Sequence, residues 1–259
     1  MRVHALTCGR LTGAMSGFVA GAEGTLKVPV PAFLIDHPRG LALFDAGMHP
    51  DAATDPRGRL GFLSKLFEVD MEPGQNVAAL LQDLEIDPAR VRTLILSHLH
   101  FDHAGGCELL PNARLIVQRP EWEAGADPDV AMRNGFDRKD YSLGHDVLAV
   151  RGEHDVFGDG RVVCFPTYGH TPGHQSLRVR LDDGAEVILC ADACYLRENL
   201  ERMVLPSVVH DRRRMMESLS VLRGLRDRGG LLIYGHDPAG WDGLADHRQP
   251  LTRALLTCA

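Results

Sequence analysis

A chain of 259 residues with 44% hydrophobic and 24% charged residues has a globular composition and the length for a sizeable core. Its formal net charge of −7 argues against a nucleic-acid partner, which calls for a basic surface. No run approaches ~18 uncharged apolar residues, and Met1-Arg2-Val3-His4 lacks a signal core, so a soluble, cytoplasmic protein with no membrane partner is expected.

Residues 2–8 alternate well enough for an opening strand. The stretch from Gly9 to Gly24, rich in glycine, reads as a flexible loop with apolar teeth at Leu11, Met15, Phe18 and Val19. Strands are expected at 31–35 and 41–44, joined by the turn His37-Pro38-Arg39-Gly40. Between residues 48 and 75, Leu60, Phe62, Leu63, Leu66 and Phe67 recur at roughly helical spacing. They suit either a short helix sealing the core or a hydrophobic lid. A helix over 76–85 precedes the apolar run Thr93-Leu94-Ile95-Leu96, a buried strand. Further on come a short helix at 107–110, a strand at 114–118 and a helix start at Pro120. Residues 125–145 read as polar and irregular. Strands follow at 147–150, 161–165, 176–181 and 186–190, then an amphipathic helix at 212–226 with a solvated arginine face, and a last strand at 231–234. No internal repeat or linker is visible, so one domain spans 1–259, as two packed sheets with helices outside and two similar halves.

The six cysteines (Cys8, Cys107, Cys164, Cys190, Cys194 and Cys258) lack the paired spacing of a structural zinc site and read as reduced, buried residues; a Cys190–Cys194 disulfide is not favoured. The chemistry concentrates elsewhere. His98, His100, Asp102 and His103 fall within six positions directly after the buried strand. In extended backbone, side chains two apart face the same side, so His98 and His100 converge on one point. Asp102 and His103 then face a second point close by, which suits a pair of metal ions. His170, Asp192 and His236 each follow a β run. One metal would take His98, His100 and His170; the other would take Asp102, His103 and His236; Asp192 is free to bridge them. A bridging carboxylate offsets the repulsion of two dications ~3.5–4 Å apart. His174 reads as a structural residue in the turn of His170, and Asp45 as a partner orienting a ligand imidazole. The other histidines (His4, His37, His49, His145, His154, His210 and His247) read as solvated.

This set resembles the metallo-β-lactamase superfamily, which implies an α/β (α+β) fold, a four-layer αββα sandwich. The stretches 97–106, 116–121, 170–177 and 192–195 look like those of the N-acyl homoserine lactonases, the quorum-quenching lactonases. The long segments 9–24 and 48–74 look expanded beside compact members. The resemblance implies a hydrolase opening the lactone ring of a substrate with an acyl tail, by attack of a metal-bridging hydroxide. Tyr195, three residues after Asp192, would donate a hydrogen bond to the developing oxyanion, and Asp102 would carry the proton to the leaving alkoxide. Segments 15–19 and 60–67 are available to cradle the acyl tail. Two divalent ions are implied; the mixed ligands suit Zn2+ but also accept iron, manganese or cobalt. A glyoxalase II-like thioesterase is the alternative within the superfamily, and a metal-holding binding module the non-enzymatic one. Nothing in the sequence sets an oligomeric state.

Overall fold

The computed structural model describes residues 1–258. Seven strands form the first sheet: β1 (Arg2–Ala14), β2 (Thr25–His37), β3 (Gly40–Phe44), β4 (Glu68–Asp70), β5 (Thr93–Ile95), β6 (Arg114–Gln118) and β7 (Val147–Val150). Five form the second: β8 (His154–Asp155), β9 (Val162–Pro166), β10 (Gln175–Arg180), β11 (Glu186–Leu189) and β12 (Leu231–Ile233). Their orders are β4-β1-β2-β3-β5-β6-β7 and β12-β11-β10-β9-β8, so the two halves are unequal rather than similar.

Period-two alternation gives each strand one face for each of two cores. Val3, Ala5, Phe33, Ile35, Phe44, Ile95 and Ile116 meet Val162, Leu177, Val179, Val187, Leu189 and Ile233 between the sheets. The opposite face of the first sheet, with Leu6, Val28, Leu34, Leu43, Leu94 and Leu115, packs beneath its helices. The opposite face of the second, with Phe165 and Ile188, receives Met215, Leu219, Leu222 and Leu225 of the helix Arg212–Asp227. That helix starts where Asp211 accepts the Arg214 N–H, and its arginines line the solvent side. The result is the expected αββα sandwich. Truncating one of its buried leucines to alanine costs about 2–5 kcal/mol.

Several local expectations change. β1 does not stop at residue 8; it runs to Ala14 through a register shift between Thr7 and Arg10, where Gly9 takes a positive φ of 91°. A Cβ on Gly9 would meet Met48 Cε at 2.7 Å, so glycine here marks a bulge under close packing. Residues 125–145 hold two short helices, Pro128–Arg133 and Arg138–Tyr141, capped by Asp127 and Asp137. Segment 48–75 packs partly on the core, as a sealing segment does. Leu60 is buried and Leu63 and Phe67 pack on the core, while Phe62 and Leu66 stay exposed. Two histidines expected in solvent are buried instead. His4 Nδ1–H donates to the His247 carbonyl, and His37 stacks on Phe157 at 4.0 Å with its Nε2 on Asp159. Cys8, Cys107, Cys164, Cys190 and Cys194 are buried free thiols; the side chain of Cys258 lies outside the described residues. Among the described residues no helix is long and apolar enough to cross a membrane.

Candidate metal centre

Strand register gathers the chemistry at one end of both sheets. β5 pairs in parallel with β3 and β6, and β12 with β11. Ile95, Leu189 and Ile233 are the last paired residues of their strands, and His98, Asp192 and His236 each stand three residues beyond. His170 sits in the turn between β9 and β10. Buried amides tie the sheets together at this end: the Gln175 N–H donates to the Ser97 carbonyl at 2.9 Å, and Gln175 Nε2 to the Leu96 carbonyl at 2.8 Å.

All seven side chains expected as ligands come together, in two groups. His98, His100, His170 and Asp192 form one, and Asp102, His103 and His236 the other. Within the first, His98 Nε2 lies 2.9 Å from His100 Nδ1 and 3.2 Å from His170 Nε2, and the last two are 3.1 Å apart. Nitrogens on a tetrahedral metal at 2.0–2.1 Å would stand about 3.3 Å apart, close to this triangle. Asp192 reaches both groups. Its Oδ2 lies 3.2 Å from His170 Nε2, and its Oδ1 lies 3.1 Å from His236 Nε2 and 3.2 Å from His103 Nε2.

The outer ring nitrogens show that the donor set fits cations. A carbonyl or carboxylate only accepts, so each imidazole nitrogen facing one carries the proton. The His100 Nε2–H donates to the Asn134 carbonyl at 2.7 Å, the His236 Nδ1–H to the Pro29 carbonyl at 2.8 Å, and the His103 Nδ1–H to Asp45 at 2.8 Å. Ser97 Oγ donates to Asp45 and so accepts from His98 Nδ1. In their neutral forms these imidazoles turn lone pairs toward one another in a buried space. His103 Nε2 and Asp192 Oδ1 have no aligned hydrogen-bond partner at all. Buried polar atoms without partners are costly, and a shared cation is the chemistry that satisfies them.

Electrostatics separates the groups. Burial holds His98, His100 and His170 below the ordinary histidine value. Burial also pushes His103 and His236 down, but the carboxylates override it: Asp192, Asp102 and Asp45 at His103, and Asp192 and Asp102 at His236, raise both. Asp192 itself is held well below the usual carboxylate range; burial opposes this, and the surrounding imidazoles prevail.

Tyr195 lies against both groups. Its hydroxyl is 3.3 Å from His170 Nδ1, its ring centroid is 5.5 Å from that of His236, and the edge of Phe18 packs on it. Burial, then the charges of Asp192 and Asp102, push its hydroxyl well above the ordinary tyrosine value, so it stays protonated. His174 is not among the converging side chains; its Nε2 accepts the Asp192 N–H and its Nδ1 meets Thr167 Oγ1, the structural place expected for it. Asp45 orients His103 and, through Ser97, His98.

Sequence reasoning overlooked four supports: the Ser97 hydroxyl, the Asn134 and Pro29 carbonyls, and Glu121. The Glu121 carboxylate is fully buried, accepts the Leu99 and Gly173 N–H groups, and is pushed up by burial to about 7. A glutamate just inside a helix that leaves a buried strand was the available signal.

The family model of the metallo-beta-lactamase superfamily matches residues 26–236. An N-acyl homoserine lactonase AttM of Azorhizobium caulinodans is 37% identical over 230 residues, covering 85% of this chain and 86% of the relative. An N-acyl homoserine lactonase AiiA of Bacillus thuringiensis is 31% identical over 216 residues, with 82% of each covered. A solved N-acyl homoserine lactone hydrolase, with N-hexanoyl-L-homoserine bound at its catalytic metal centre, superposes with a TM-score of 0.86 at 26% identity. That superposition covers 96% of this chain and 98% of the other, too much for segments 9–24 and 48–74 to be insertions, contrary to the expectation of expansion. The chain belongs to the metallo-beta-lactamase superfamily, among the relatives of the N-acyl homoserine lactonases.

Proposed function

We propose that this protein, as a single catalytic domain over residues 1–259, hydrolyses the lactone ring of N-acyl homoserine lactones with the help of two divalent ions. The observation that carries this reading is the meeting of two ligand groups across Asp192, with the Tyr195 hydroxyl beside them. His98, His100 and His170 would hold one ion, Asp102, His103 and His236 the other, and Asp192 both. Imidazole and carboxylate donors in sets of this size favour zinc. Bound dications polarise an ester carbonyl and make water a nucleophile near neutral pH.

The chain's own residues supply the rest. Tyr195, kept protonated by burial, donates a hydrogen bond to the former carbonyl oxygen as charge builds on it, a contribution of roughly 2.7–4 kcal/mol for a preorganised donor. The Asp102 carboxylate, at the open side of its group, takes the proton of the attacking water and passes it to the ring oxygen as the C–O bond breaks. Phe18, edge-on to Tyr195, and Phe101, beside Asp102 and 6.1 Å from the Phe67 ring, offer apolar walls to an acyl tail. Five buried free thiols accord with a reducing, cytoplasmic setting.

The test is acid release, followed with a pH indicator, from N-acyl homoserine lactones of several chain lengths, beside a thioester assay. Ring opening across the series is expected, with the metal named by elemental analysis of protein purified without added metal. Brisk thioester cleavage with no lactone opening would overturn the substrate class in favour of a glyoxalase II-like reaction.

A further inference from the structure

The three histidines of the first group lie on two short segments, and neither belongs to a strand. His98 and His100 flank Leu99 after β5; His170 precedes Gly173 in the turn between β9 and β10. These segments come from different sheets, which the Gln175 amides join at Ser97 and Leu96, just before the point where three nitrogens form a triangle about 3 Å on a side. Beyond them, at the ligand segments themselves, the Glu121 side chain spans the gap. Glu121 Oε1 accepts the Leu99 N–H at 3.1 Å, and Glu121 Oε2 accepts the Gly173 N–H at 2.7 Å. The carboxylate is fully buried, and besides these two N–H groups it faces the Thr171 hydroxyl, on the His170 arm. Its two oxygens are therefore committed to the two arms.

Gly173 shows how closely the arms are drawn together. A Cβ there would stand 2.2 Å from the Glu121 backbone nitrogen and 2.8 Å from its Cα, so only glycine lets the His170 turn approach this helix start. The second group has no such bridge. Its residues are oriented by Asp45 and the Pro29 carbonyl, on different elements, and none of them bonds to Glu121.

We propose that Glu121 is a positioning residue for one metal alone: it sets the spacing of the His98/His100 arm against the His170 arm, and hence the affinity and geometry of that site. The inference rests on the ligand assignment made under the proposed function. Glutamine at 121 keeps the shape but replaces one acceptor with an amide donor, which faces an N–H and releases one arm.

The test compares wild type with Glu121→Gln and Gly173→Ala, each loaded with cobalt(II), by chelator competition and by the visible absorption of each bound ion. Both variants should lose about 10–100-fold in affinity at one of two sites. The d–d spectrum of that site should shift, while the other site keeps its wild-type affinity and spectrum. Wild-type affinity and spectra at both sites in folded variants would overturn the inference, as would equal weakening of both sites, which marks a general folding role. Failure of the ligand assignment reads differently: wild type itself would then bind fewer than two ions per chain.

Discussion

The two ligand groups present lone pairs to a cation by opposite means. Around His98, His100 and His170, burial and neighbouring imidazoles hold the rings neutral, and their outer nitrogens meet neutral partners: Ser97 Oγ, the Asn134 carbonyl and the Tyr195 hydroxyl. Around His103 and His236, carboxylates crowd the site and raise both rings, favouring their charged forms. The first half is preorganised before any ion arrives. In the second, a cation competes with protons that the carboxylates also attract, and its affinity is linked to pH. A dinuclear centre built this way separates the requirement for shape from the requirement for charge.

Asp192 joins the halves, and Asp192→Ala breaks the comparison altogether. Both sites should lose metal, and activity should fall by more than about 100-fold, since even indirect partners of ligands cost about 10–100-fold. Elemental analysis beside the lactone rate checks this; two retained ions at full rate would remove the bridge. Tyr195→Phe separates chemistry from metal binding. We expect kcat to fall about 100- to 1,000-fold, the cost of losing one oxyanion donor, with metal content and KM little changed. An unchanged kcat would leave the hydroxyl as packing against His170 and nothing more. Asp45→Asn weakens the charge that favours protonation of His103 and disturbs its orientation. Metal affinity in the carboxylate half should drop about 10–100-fold, with a smaller effect on the three-imidazole half. Equal losses in chelator competition would show the halves to be one unit.

The seven converging residues were legible because their spacing and their places after β runs follow from local rules: period two in strands, and turns at strand ends. What supports them was not. The Asn134 carbonyl on His100 and the Pro29 carbonyl on His236 are backbone groups, and every residue has one; only the fold selects which. His4 and His37 are buried because His247 and Asp159 meet them from far along the chain, a fact without local trace. Two misreadings were avoidable. Asp127-Pro128 is a helix cap followed by proline in the first turn, yet residues 125–145 read as irregular because their polarity outweighed it. Gly9 and Gly13 read as loop residues, but in an alternating context they mark close approach to Met48 and Phe67.

Glu121 carries the effect that turns most directly on charge. In the folded, metal-free protein its carboxyl is raised to about 7, with burial as the cause. Unfolded, it titrates near the ordinary 4.5. Between those values the folded chain holds one more proton than the unfolded chain, so this group favours folding at low pH and loses that advantage as pH rises through 7. The full swing is on the order of 3 kcal/mol. Glutamine does not titrate, so the stability of wild type relative to Glu121→Gln should decline from pH 4.5 to 7.5. Urea unfolding of the two metal-free proteins measures it, and the remaining titrations cancel in the difference. A difference that stays flat would mean that the Gly173 and Leu99 N–H groups and the Thr171 hydroxyl keep the carboxylate ionised at acid pH. The bridge between the two arms would then be charged before any metal binds, and the three-imidazole half would owe its preorganisation to charge as much as to shape.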